Sequence, residues 1–278
     1  MTFIVIVVVF GLVQYWGSAQ VFQRDGAYYE WLETTRAWFP SAAMQLLGQI
    51  ILPVLVLWFA LGVIESISSV LLFLVSIVLL MFSLGRGDLQ EWLMGYCEAS
   101  HRNDNEVATD YAVRLGVNSD DVDGWPELHR QTLRKAGYRG FERWFTAIFW
   151  FVLLGPLGAV FYRLTALSEK AADQSDELRD LITRLRWLLE WPVVRLLGLS
   201  FALTGNFVGC IHNWKECLLC LKRPTEEVME HYIHGALNVN SGEIMQEGIT
   251  EQELDALIPL FTRSLVLWLC ILAVLTIV

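Results

Sequence analysis

The chain has 278 residues, of which 55% are hydrophobic, with a mean hydropathy of +0.44 and a formal net charge of −10. Stretches without Asp, Glu, Lys or Arg alternate with densely charged ones, which excludes a soluble enzyme, a coiled coil and a disordered tail and places the chain in a membrane. An acidic balance without a block of like charges excludes nucleic acid as a partner, and five cysteines, an odd number, form no secreted disulfide framework and fit a reduced, cytoplasm-facing setting.

Phe3–Val13 is an apolar stretch of 11 residues, too short to cross a bilayer alone. No Lys or Arg precedes Arg24, so the stretch lacks the charged start of a cleaved leader and reads as an inserted or packed helix. Leu46–Ile64 follows with 19 residues interrupted only by Gln49 and Pro53, and Ile67–Leu84 with 18 uncharged residues. At about 1.5 Å per residue each comes close to a hydrocarbon core of roughly 30 Å. The short break at Glu65-Ser66 makes the two a tight helical hairpin with a charged tip.

Gly85-Arg86-Gly87-Asp88 is a turn, after which Leu89, Trp92, Leu93, Tyr96 and Cys97 recur at helical spacing. Asn103 with Glu106 as a capping pair, and Gly116 at the far end, bracket a helix over Glu106–Leu115. Val117 to Gly124 is an acidic loop, and Trp125-Pro126 opens a helix that runs, with glycine interruptions, into the apolar run Trp144–Tyr162. Gly155-Pro156 breaks the centre of that run, which either crosses the bilayer or enters and returns on the same side. Leu178, Leu181, Ile182, Leu185, Leu188 and Leu189 form the cleanest amphipathic pattern. Leu196–Ile211, which contains Asn206, is a shorter apolar run and a weak candidate span. Leu254, Leu257, Ile258 and Phe261 repeat the amphipathic pattern behind a Thr250/Glu253 capping box, and Ser264–Val278 closes the chain with 15 uncharged residues, a short C-terminal span. No alternating run long enough for a sheet occurs. The expected fold is all-α: a polytopic helical membrane protein, one integral-membrane domain over residues 1–278, with amphipathic cytoplasmic helices.

Residues 85–143 carry eight Lys or Arg and are therefore expected to face the cytoplasm. Five more in 163–186 argue for the same side. Arg130, Arg134, Lys135, Arg139 and Arg143 include spacings of three and four that share a helix face, either a binding surface for a phosphate or lipid headgroup or the ordinary positive-inside belt. Cys210, His212, Cys217 and Cys220 spell C-x-H-x4-C-x2-C. Interleaved leucines favour packed small hydrophobes over zinc ligands, so no metal is assigned. Glu190-Trp191-Pro192-Val193-Val194-Arg195 sets opposite charges beside an apolar run, where charges are expensive and either pair or face a cavity. No G-x-S-x-G, H-E-x-x-H or phosphate-loop signature occurs, so no catalytic residue is assigned, no cofactor follows, and the reading leans away from an enzyme.

Four blocks carry a resemblance: Ser83-Leu84-Gly85-Arg86-Gly87-Asp88-Leu89, Ala99-Ser100-His101-Arg102-Asn103-Asp104, Ile148-Phe149-Trp150 through Tyr162-Arg163, and Glu190 through Leu196. On these the chain resembles the AmpE family, inner-membrane proteins encoded beside the amidase AmpD in Gram-negative bacteria. The resemblance implies a multi-pass protein of the bacterial inner membrane tied to β-lactamase induction and peptidoglycan recycling, with the lipid bilayer and a protein of cell-wall recycling as partners. More distantly, Phe149-Trp150, Gly155-Pro156, Gly158-Ala159, Tyr162-Arg163 and Trp191, Pro192, Arg195, Leu196 resemble the CobD/CbiB family of cobalamin-biosynthesis enzymes. That likeness implies an alternative, a membrane ligase or transferase acting on an anionic metabolite. Tyr138 to Glu142 and Thr165 to Glu169 depart from that family's polar stretches. The positions shared with both families, Arg86, Arg163 and Arg195, lie next to spans, with Asp88, Arg102, Asn103, Asp104 and Glu190 on adjoining polar segments. Together these eight are the expected ligand-binding residues, lining a cytoplasmic pocket for a muropeptide, nucleotide or corrinoid-like anion.

Overall fold

The computed structural model describes residues 2–16, 25–85, 89–119, 122–171, 174–218, 220, 223–237 and 251–277. Within them the secondary structure is helical throughout, with no strand. In chain order the helices are α1 (Thr2–Trp16), α2 (Gly26–Trp38), α3 (Ala42–Ile67, with a π turn at Leu47–Ile51), α4 (Ser69–Ser83), α5 (Leu89–His101) and α6 (Asn105–Arg114). A helix α7 (Gly124–Gly140) continues through a π turn at Phe141–Phe145 into α8 (Thr146–Lys170), and α9 (Asp176–Thr204), α10 (Phe207–Cys217), α11 (Thr225–Leu237) and α12 (Glu251–Ile277) follow. Among the described residues, four helices are long and apolar enough to cross a membrane: Ala42–Ile67, Gly124–Lys170, Asp176–Thr204 and Gln252–Thr276. Thr2–Tyr15 and Ser69–Ser83 are shorter apolar helices.

The chain divides into two compact units, one of residues 1–87 and 143–190, the other of residues 88–142 and 191–278. In the first, α4 packs on α1, α3 and α8. Val5, Ile6, Val9 and Val13 form the buried stripe of α1, at spacings that keep them on one helix face. Ala42 packs with Leu178 and Ile182, so the amphipathic stripe read from the leucines of α9 does cover the start of α3. The second unit is built on α5 against α6 and α12, and on α11 against α7 and α10. Its core holds Leu93, Tyr96, Leu133, Val193, Leu197, Phe201, Tyr232, Ile233, Leu254 and Leu257.

Local chemistry moved several expected boundaries. The hairpin break lies at Ser68 rather than Glu65-Ser66, because the Ser68 hydroxyl caps α4 by accepting from the Leu71 N–H. Asp104, and not the Asn103/Glu106 pair, caps α6 by accepting from the Val107 N–H, while Asn103 takes a positive φ of 54°. Gly116, with φ of 96°, ends that helix as expected. The apolar run 196–211 is not one element: α9 ends at Thr204, and the Asn206 carboxamide starts α10 by accepting from the Gly209 N–H. Gly155, at φ 67° and ψ −157°, interrupts α8 ahead of Pro156. Thr250 of the capping box lies outside the described residues.

Candidate functional site

The strongest concentration of buried charge is in the first unit, around α8. Arg163 donates through Nη2 to Asp25 Oδ2 at 3.2 Å. One residue earlier on the helix, the Tyr162 hydroxyl donates to Glu190 Oε1 at 2.9 Å, and the same oxygen accepts from Arg186 Nε at 2.9 Å. Arg186 also pairs through Nη1 with Glu169, whose other oxygen accepts from the Thr183 hydroxyl at 3.2 Å. Two guanidinium groups and three carboxylates are thus ordered around one end of α8, all but Asp25 on the two helices α8 and α9 that carry apolar spans. Charges in such a place survive only as hydrogen-bonded pairs.

A second cluster adjoins the π turn of α3. The Tyr28 hydroxyl is 2.8 Å from Ser168 Oγ and donates to the Gln49 carbonyl at 3.1 Å, while Trp31 Nε1 donates to the Gly48 carbonyl at 3.1 Å. Burial pushes the Tyr28 phenol well above its ordinary pKa, so it stays protonated and available to donate. Gln49 is fully buried, and among the described residues neither its amide nitrogen nor its amide oxygen has a hydrogen-bond partner. A π turn widens the helix by one residue and is a frequent companion of functional positions.

In the second unit Arg195 is a backbone clamp. Its Nη2 donates to the carbonyls of Cys217 at 3.2 Å and Cys220 at 2.8 Å, Nη1 reaches Trp191 O at 3.4 Å, and the guanidinium lies 4.8 Å from the Trp191 ring centroid. Cys210 Sγ donates to the Gly198 and Tyr232 carbonyls, as a packed small hydrophobe does. Among the described residues no three His, Cys, Asp or Glu side chains gather into a metal-sized cluster. Lys135 and Arg134 pair with Glu226, and Arg130 with Glu127 and Glu230, so this basic face meets the acidic face of α11.

The eight expected ligand-binding residues therefore have different surroundings. Arg163 and Glu190 belong to the buried network of the first unit, each with a carboxylate or guanidinium opposite. Arg195 grips carbonyls in the second unit, where Arg102 pairs with Glu98 in an exposed turn, Asp104 caps α6 and Asn103 supplies the positive φ between them. Arg86 and Asp88 lie outside the described residues. Reading the sequence missed Asp25, Tyr28, Gln49, Glu169 and Arg186. The Arg186/Glu190 pair at i,i+4 was legible on the amphipathic stripe, whereas the pairing of Asp25 with Arg163, 138 positions away, leaves no local trace.

A scan against protein families matches residues 1–277 to the model described as regulatory signalling modulator protein AmpE. The chain belongs to the AmpE family. No curated protein and no solved structure matches it.

Proposed function

We propose that this protein acts as a multi-pass regulatory signalling protein of the bacterial inner membrane, in β-lactamase induction and peptidoglycan recycling. The match of residues 1–277 to a regulatory signalling family carries the reading. The four apolar helices support its membrane setting. In this reading the paired charges around α8 are the element that responds. A bistable network of guanidinium and carboxylate groups in low dielectric rearranges as a unit, because breaking one pair leaves a costly buried charge. An anionic ligand, of which a muropeptide is one, competes for Arg163 and Arg186 against their carboxylates.

The test is deletion of the gene in a Gram-negative host with an inducible β-lactamase, followed by complementation. Hydrolysis of a chromogenic cephalosporin with and without inducer should show an altered induction ratio in the deletion, restored by the intact gene. An unchanged ratio rejects the reading. Alkaline phosphatase fused at Gly124 should be inactive, because the Lys and Arg of residues 85–143 hold that segment in the cytoplasm.

A further inference from the structure

Four of the five histidines face a carboxylate. His101 Nε2 lies 3.5 Å from Asp255 Oδ2, His234 Nδ1 lies 3.5 Å from Glu253 Oε1, and His212 and His231 lie 3.2 and 3.4 Å from the carboxylate of Glu216. The fifth, His129, meets the Tyr96 hydroxyl at 2.8 Å. Two of the carboxylate pairs converge on one short stretch of α12, just ahead of its uncharged end. Glu253 faces α11 and Asp255 faces α5, while Leu254, Leu257 and Leu260 between and beyond them are buried. That stretch is held by apolar contacts, which are indifferent to pH, and by two contacts whose strength depends on a proton.

The charges around His234 favour the proton. His234 has Glu253 opposite it on α12 and Glu230 one turn earlier on its own helix, with Arg130 of α7 as the opposing charge. The hydrogen bond to Glu253 outweighs burial and raises the pKa above the ordinary imidazole value. His101 has Asp255 opposite it. Glu98, which holds Arg102, and Cys97 line the same cleft of about 260 Å³, together with Leu93, Met94, Leu254 and Ile258.

We propose that the segment 252–262 is a proton-dependent latch, clamped to α11 through His234 and Glu253 when that histidine is protonated and loosened when it is neutral. A histidine whose docked pKa is raised adds holding strength that is fully present below its undocked pKa of about 6.5 and is lost as pH rises through the docked value. Acidification therefore tightens α12 and alkalinity frees it. This deepens the regulatory reading by naming protons as the stimulus and rests on it for its biological role, although the latch itself is measurable without any β-lactamase.

The experiment is amide hydrogen exchange on the full chain in lipid nanodiscs at about pH 5.5 and about pH 8, with labelling times corrected for the intrinsic chemical rate. Peptides covering 252–262 should open several-fold less often at the acid pH, approaching tenfold for each unit by which a histidine pKa is raised. The variant His234→Gln should lose the difference. His212→Gln, whose contact to Glu216 stays within α10, should keep it. Equal opening of the wild type at both pH values, or a difference that survives in His234→Gln, overturns the latch. If that variant does not fold, nuclear magnetic resonance titration of His234 in the wild type decides: a midpoint above about 6.5 supports the latch, and one at or below it overturns it. A working latch with unchanged β-lactamase induction in the deletion strain would refute the function proposed above while leaving the latch standing.

Discussion

Arg163 and Asp25 form an ion pair at 3.2 Å in which both side chains are almost wholly buried, 3% and 2% exposed. The pair joins α8 to the start of α2, and its strength is asymmetric: completing it gains little, and removing one member strands the other. Asp25→Ala should therefore destabilise the protein by about 3–5 kcal/mol, read as a fall in Tm in detergent and lower accumulation in the membrane. Asp25→Leu combined with Arg163→Met should recover most of that loss. A single variant as stable as wild type would remove the pair from the list of features that hold this unit together.

Gln49 presents the opposite case. Its amide is fully buried and both polar atoms lack partners among the described residues, so Gln49→Leu should raise stability by about 1–3 kcal/mol, the cost of a desolvated, unsatisfied group. Differential scanning fluorimetry checks the sign. A loss of stability would show that the amide is satisfied by a group bound inside the protein.

Gly155 holds φ 67° and ψ −157°, a region open essentially to glycine alone. No atom would crowd an added Cβ there, so the effect of Gly155→Ala isolates backbone strain, expected at about 1–3 kcal/mol. At Gly158 the Cβ would strike the Trp150 carbonyl oxygen instead, so Gly158→Ala should cost stability through a steric clash. Thermal unfolding of both variants checks this, and a Gly155→Ala as stable as wild type would show that the kink stores no backbone strain.

Arg195 spreads one guanidinium over the carbonyls of Trp191, Cys217, Leu218 and Cys220. A lysine keeps the charge but not the planar fork, so Arg195→Lys should release the turn after α10 at a cost of about 1.5–3 kcal/mol. Burial now keeps the Cys217 thiol protonated and shielded. Maleimide labelling of Cys217, followed by peptide mass spectrometry, should accordingly speed up several-fold in the variant. Unchanged labelling would mean that apolar packing alone holds the turn.

Hydropathy made the membrane helices legible because a span needs only length and the absence of charge. The hairpin of α3 and α4, the break at Gly155 and the apolar end of α12 were all readable from composition. Boundaries set by one hydroxyl or carboxamide were not, since Ser68, Asp104 and Asn206 each compete with neighbours of similar capping strength. Two of the five charges of the buried network were visible. Arg163 and Glu190 stood out as charges beside apolar runs, whereas Asp25 sits in an ordinary polar stretch and acquires its role only through tertiary contact. The basic face of α7 looked like a membrane belt because its acidic partners on α11 lie about ninety residues downstream.

Ser68 is the sole residue between α3 and α4. A connection that short gives the ribosome no opportunity to deliver the two helices to the bilayer separately. At 15 residues, α4 is wholly uncharged but only about 22 Å long, short for a core of roughly 30 Å, so it cannot reach across by itself. Its insertion must be carried by the longer α3 emerging just before it, so biogenesis of this region has a fixed order: the leading helix recruits the lipid, and the trailing one folds back along a surface already in place.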